Sequence, residues 1–479
     1  MDEAQADRGR WLALGIVVMS VFMATLDSSI VNVALPVMRS DLGETASGIA
    51  WVVSSYLIAI AATILVFGRL GDLMGKSFVF RCGLSVFTFG SLLCGFTHTL
   101  FWLIVARVIQ AVGAACTMAT TQGIITQIFP PQERGRALGV SGAFVALGTL
   151  TGPALGGLIV SVARWEYIFW INVPVGIVVL LMSLKHLPRK EKAPGGKLDI
   201  PGAVLFFFAV VPLFISLGQV ETAGSMDAMM LAGLGVSAAA FIAFVLVERR
   251  TQSPLLDLSL FKNRWFSISI VCGFISFLAM FCSNIVQPFY LQDVLLLSPA
   301  AAGLYMSIFP LVLTVVAPVS GYLSDKVGSE LITVIGLTLM GAGLIGLSTL
   351  DTTPSYILMV LYIVLLALGN GMFQSPNTSL IMSTVPRDKL GIGGSVNALI
   401  RNLGMVSGIA LSTALLFGSM SAFAGQRVTD VPGHGEAFVY GMRIVYITAA
   451  VICFAGVVIT ALRLIGRRGR AAAEIREQG

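Results

Sequence analysis

The chain has 479 residues, of which 56% are hydrophobic and 11% charged, with a mean hydropathy of +0.91. Soluble domains carry about 25% charged residues, so this composition excludes a soluble fold and points to a membrane protein. The formal charge of +6 needs no nucleic-acid partner if the basic residues sit in loops on one side of a bilayer.

Crossing a bilayer takes about 20 apolar residues in a helix. Such runs occur near 12–36, 49–69, 79–98, 101–125, 137–161, 165–184, 201–219, 228–246, 266–290, 300–322, 331–349, 355–380, 393–420 and 441–464. The expected fold is therefore all-α, with fourteen transmembrane helices. The first run is too long for a signal peptide and lacks a small-residue cleavage site, so it reads as a retained span.

That first run contains "MATLDSSIVNVALP" (23–36), which places the carboxylate of Asp27 at depth. An ionisable residue there costs roughly 2.5–3.5 kcal/mol on insertion scales and is a functional candidate by default. The fourth run carries Arg107 at similar depth, with Gln110, Thr117 and Thr121 on its helical face. Asp27 and Arg107 read either as a proton-coupling pair or as a structural ion pair that fixes helix packing.

Between runs two and three lies "GRLGDLMGKSFVF", starting at Gly68; "GYLSDKVGSELIT" repeats its G-x-L-x-D-x-x-G pattern from Gly321. The candidate gating residues are Gly68, Asp72, Gly75, Lys76 and Asp325. Each aspartate can face a helix N-terminus as a latch, or act as a turn residue beside glycine. "GDLMGKS" (71–77) is one residue short of a P-loop and joins two helices rather than a strand and a helix, which excludes an ATP-driven reading.

The fifth run holds "GTLTGPALGG" (148–157). Gly148, Gly152, Gly156 and Gly157 clear room on one face for a close neighbour, and Pro153 kinks the helix. A basic linker, "KHLPRKEKAPGGKLDIPG" (185–202), then enters runs seven and eight, and "ERRTQSPLLDLSLFKNR" (248–264) leaves them. Two inserted helices account for the long offset between the repeated loops. The expected organisation is a six-helix bundle over 1–190, an inserted pair over 191–250 and a second six-helix bundle over 251–479. Duplicated halves around a central site are a plan of secondary transporters.

Further polar residues form stripes: Asn284 and Gln287 on span nine, Asn370, Gln374 and Asn377 on span twelve, Asn397 and Arg401 on span thirteen. Together with Gln110 they are the candidate substrate-cavity residues. Interhelical hydrogen bonds would satisfy them equally well.

With both termini cytoplasmic, four basic residues lie outside (Arg39, Arg164, Arg427, Arg443), Arg107 and Arg401 lie within spans, and the other 24 of the 30 Lys and Arg lie inside. This bias sets the orientation. The tail (Arg463, Arg467, Arg468, Arg470) could hold anionic membrane lipids, though topology marking suffices. The six cysteines lie in apolar stretches without a C-x-x-C pair, and the three histidines sit at segment ends. No metal site, no nucleophile with its base and hence no enzyme is suggested.

Gly68, Leu70, Asp72, Gly75 and Lys76 resemble the loop signature of the major facilitator superfamily. "LDSSIVNVALP" (26–36), "RVIQAVGAA" (107–115), "GTLTGPALGG", "PFYLQDVLLLSPAAAGL" (288–304) and "NALIRNLGMVSG" (397–408) are similar to the patterns of its fourteen-span drug:proton antiporter family. The likeness covers nearly the whole chain. The family loop has Arg after its Asp, where this chain has Leu73, which leaves Arg69 or Lys76 to supply that charge.

The topology points to a plasma membrane, that of a bacterial inner membrane, and the resemblance implies a proton-coupled exporter of amphipathic small molecules, a multidrug efflux type. It implies no cofactor, the drive being the proton motive force, with Asp27 as proton acceptor and the fifth-span motif as a functional kink. Export or flipping of lipids or lipid precursors is the alternative, and an importer is also within the fold. An envelope adaptor protein is neither required nor excluded by these residues.

Overall fold

The computed structural model describes residues 3–478 apart from 131–132, 188–197, 224–227, 252–253 and 387–389. Fourteen long helices follow one another: α1 (Glu3–Leu42), α2 (Trp51–Met74), α3 (Lys76–Cys94), α4 (Leu100–Ile128), α5 (Arg134–Val162), α6 (Asn172–His186) and α7 (Ile200–Ala223). They continue as α8 (Ala228–Glu248), α9 (Arg264–Phe289), α10 (Pro299–Val327), α11 (Ser329–Ser348), α12 (Tyr356–Ser383), α13 (Leu390–Ala424) and α14 (Gly435–Gln478). No strand occurs among the described residues.

All fourteen are long and apolar enough to cross a membrane, at the positions expected from composition. Most boundaries shift by a few residues, many of them outward. The first span runs Gly9–Leu42, past Pro36, because a spanning helix tolerates proline where neighbouring groups take up the freed carbonyl. The ninth gains a π-helical turn, Tyr290–Val294, which brings Asp293 onto the end of the span.

The chain divides into two compact units, one comprising 1–257, 287–307 and 428–433, the other 258–286, 308–427 and 434–479. The pair α7–α8, assigned to 191–250 from sequence, lies within the first unit. A Cβ on Gly218 of α7 would strike Trp51 of α2, and Ser237 of α8 donates to the Ala209 carbonyl of α7. At the base of the pair the Glu248 carboxylate accepts from the amides of Leu255 and Leu256 at 3.1 and 3.5 Å, and Asp199 accepts from Gly202 at 2.9 Å. Most of the linker, 188–197, and the tail side chains from Ile465 onward lie outside the description.

The repeated loops are tight because each ends on glycine with positive φ, +99° at Gly75 and +94° at Gly328. Side chains other than glycine's rarely adopt that backbone. Gly75→Ala is expected to lower stability by about 1–3 kcal/mol, measured as a drop in the unfolding midpoint in detergent.

Candidate functional site

Asp27 is completely buried in the first unit, and every group pointed at it is a donor. Its Oδ2 accepts from Arg107 Nη1 at 2.6 Å, and its Oδ1 accepts from Gln110 Nε2 at 2.8 Å and Asn172 Nδ2 at 3.1 Å. Arg107 and Gln110 stand three residues apart on α4, the spacing that puts two side chains on one helical face. Asn172 opens α6. Arg107 donates further to Gln110 Oε1 at 2.5 Å and, through Nε, to the Val52 carbonyl at 3.2 Å. Its guanidinium lies 4.0 Å from the Tyr56 ring centroid, a cation–π contact. Gln110 also donates to Ser91 Oγ at 2.8 Å.

Five helices thus contribute to the cluster, with α4 and α6 bonding the α1 carboxylate directly and α2 and α3 holding its α4 donors. Acceptor-only when ionised, Asp27 fits its donors completely. A proton on either oxygen would have no acceptor to point at among these groups, so proton uptake leaves a buried O–H unpaired unless one of these bonds rearranges. Gln110, read from sequence as a cavity residue, is wholly buried and uses both ends of its amide within this cluster. Asn172, Ser91 and Tyr56 escaped the sequence reading because a lone polar residue at a span start, a serine and a tyrosine carry no signal without a known neighbour.

The glycines of α5 face two ways. Added Cβ atoms at Gly148, Gly152 and Gly156 would strike Thr25, Ser29 and Ile30 of α1, so this stripe seats α5 on the helix that bears Asp27. Ser29 Oγ donates to the Gly148 carbonyl at 3.1 Å across the seam. Gly157, one residue and about 100° further round, instead meets α10. Its added Cβ would strike the Pro299 carbonyl and lie 3.2 Å from Gly303 Cα. The expectation of a single cleared face is therefore corrected to three glycines and one. Pro153 lies inside a continuous helix.

Near that seam, at the Leu42 end of α1, Arg39 grips Asp293 in a bidentate pair at 2.6 and 3.1 Å and reaches Asp430 Oδ1 at 3.1 Å. Gln292 Nε2 donates to the Val33 carbonyl at 2.9 Å. Charge-assisted bonds of this kind contribute about 1.5–3 kcal/mol each. Arg39→Gln is expected to speed maleimide labelling of a Val33→Cys reporter, otherwise fully buried, by at least about 10-fold. Unchanged labelling would show that these bonds do not hold that end closed.

The sequence profile of the Major Facilitator Superfamily matches residues 17–409 and 269–478. The chain belongs to this superfamily. It is 36% identical over 456 residues to the riboflavin transporter RibZ of Clostridioides difficile, covering 94% of this chain and 97% of that one. It is 32% identical over 426 residues to a tetracenomycin C resistance and export protein of Streptomyces glaucescens, covering 88% and 78%. A crystal structure of a POT family transporter in complex with a thioalcohol-conjugated peptide shares the fold, with TM-score 0.70 at 16% identity over 95% of this chain and 96% of that one. Family and relatives are transporters, not enzymes, and the relatives include proteins named as a multidrug transporter, a multidrug resistance protein and a resistance and export protein. It is a multi-pass membrane protein.

In the first repeated loop Lys76 Nζ lies 3.3 Å from Asp72 Oδ1, one turn away in the sequence. Asp72 is half-exposed and ends α2, while Gly68 lies inside that helix. The side chain of Asp325 lies outside the described residues. Of the polar stripes, Asn377 and Asn370 are buried and bonded between helices, to the Ser269 carbonyl at 3.1 Å and to Ser276 Oγ at 3.2 Å. Gln287 is buried on α9, whereas Asn284, Gln374, Asn397 and Arg401 are half-buried.

Proposed function

We propose that the chain is a proton-coupled antiporter that exports amphipathic small molecules across a bacterial inner membrane, with both termini in the cytoplasm. The observation that carries this reading is the donor-only shell of Asp27. A carboxylate whose protonation favours rearranging its bonds to α4 and α6 links a proton to helix position, as exchange of proton for cargo requires. One proton falling through ~100 mV supplies about 2.3 kcal/mol, enough for roughly a 50-fold gradient. The Arg39–Asp293 clasp and the Gly157–Gly303 seam would then close one end of the pathway in one state and part in the other.

A second reading, transport of a vitamin-like heterocycle, is favoured by the relative named as a riboflavin transporter. Everted vesicles holding a pH-sensitive dye separate the two. A lipophilic cation, an uncharged drug, an organic anion, a lysolipid and riboflavin are each added, and proton release is followed. Release triggered by several amphiphiles supports the exporter; release by riboflavin alone supports the second reading. Release by none would overturn antiport.

A further inference from the structure

We infer that Arg401 anchors an anionic group of the transported molecule, which makes the cargo an amphipathic organic anion; this rests on the exporter reading above. The buried arginines each have an acceptor: Arg39 has Asp293, Arg107 has Asp27, and Arg463 donates to Ser269 Oγ at 2.5 Å. Arg401 lies mid-span without such an acceptor: its Nε, like those of Arg10, Arg69 and Arg463, is sealed from solvent without a hydrogen-bond partner, and no carboxylate lies within 4.0 Å of its guanidinium among the described residues. The side chain as a whole is half-buried within a membrane-spanning helix. A charge removed from water without a partner is strongly unfavourable, and an arriving anion removes that cost. The planar guanidinium fork matches a carboxylate, sulfonate or phosphate with two parallel bonds.

The setting supplies the rest of the cargo's chemistry. Gly404 and Gly408 press α13 onto α9: an added Cβ on Gly404 would lie 2.8 Å from the Phe274 carbonyl and 2.9 Å from Phe277 Cβ. Arg401 stands one turn earlier on that same face, and Asn397 one turn earlier still. A single cation and an amide beside an apolar, aromatic helix wall is the composition of a site for a greasy molecule with one charged end. Asp27 is already matched by Arg107, so it leaves no spare negative charge at depth for a cationic cargo.

The test uses the full-length protein in lipid nanodiscs, with empty discs subtracted. Two probes of near-identical shape are bound at equilibrium: 8-anilinonaphthalene-1-sulfonate and the uncharged N-phenyl-1-naphthylamine. Arg401→Gln is expected to weaken sulfonate binding at least about 10-fold, leave the uncharged probe unchanged, and be partly rescued in Arg401→Lys. Equal sulfonate binding in wild type and Arg401→Gln, or equal loss of both probes, would overturn the assignment. Because no pH gradient is present, failure here is distinct from failure of antiport. Lost proton coupling with intact Arg401-dependent binding would overturn only the exporter reading.

Discussion

Asp27→Asn should abolish compound-triggered proton release while leaving the protein folded. The amide that replaces the carboxylate has one accepting and one donating end, but the native shell offers only donors, from Arg107, Gln110 and Asn172. At least one of those bonds is lost, and the proton-binding oxygen is lost with it. Asp27→Ala goes further, leaving the buried Arg107 without its counter-ion; breaking such a pair from one side costs about 3–5 kcal/mol. The double variant Asp27→Asn/Arg107→Gln should recover much of the unfolding midpoint and none of the coupling. That split is the informative result, because a purely structural ion pair would restore stability and transport together. Wild-type proton release in Asp27→Asn would move the coupling site elsewhere.

The largest effect outside the charged cluster is expected at Gly157. Its Cα faces the α10 backbone so closely that one methyl group overlaps the Pro299 carbonyl. If that seam forms in only one state of the cycle, Gly157→Ala relieves the clash by leaving the seam apart, and turnover should fall at least about 10-fold with little change in stability. Gly152→Ala sits instead in the α1–α5 contact, where overpacking costs typically 1–3 kcal/mol, and should lower the unfolding midpoint. Gly139 and Gly142 on the same helix are the controls. Nothing lies within 4 Å of an added Cβ at either, so alanine there should be neutral or stabilise by about 0.5–1 kcal/mol. Gly157→Ala with wild-type turnover would mean the seam is permanent packing.

How much of this was legible in the residues varies by the kind of interaction. Span number follows from hydropathy alone, since lipid demands satisfied backbone over a fixed thickness. The depth of Asp27 and Arg107 followed from counting residues along their helices. Their shell did not, because Asn172 and Ser91 come from helices whose rotation no single-sequence pattern fixes. The Arg39–Asp293 pair joins positions 254 residues apart in the chain, and each reads by itself as an ordinary boundary charge. Even the glycine motif revealed only that some helix would come close; which glycine met which neighbour depended on the 100° step between Gly156 and Gly157.

The hairpin α7–α8 begins and ends at one edge, where Asp199 and Glu248 accept from nearby backbone amides. Its parity matters more than its chemistry. Two helices inserted into a polytopic chain return the polypeptide to the compartment it left, so every later loop keeps its address. One helix, or three, would have inverted the entire second half and carried its basic loops across the bilayer against their charge bias. A lineage can therefore gain or shed this hairpin in a single event without re-addressing a single downstream loop.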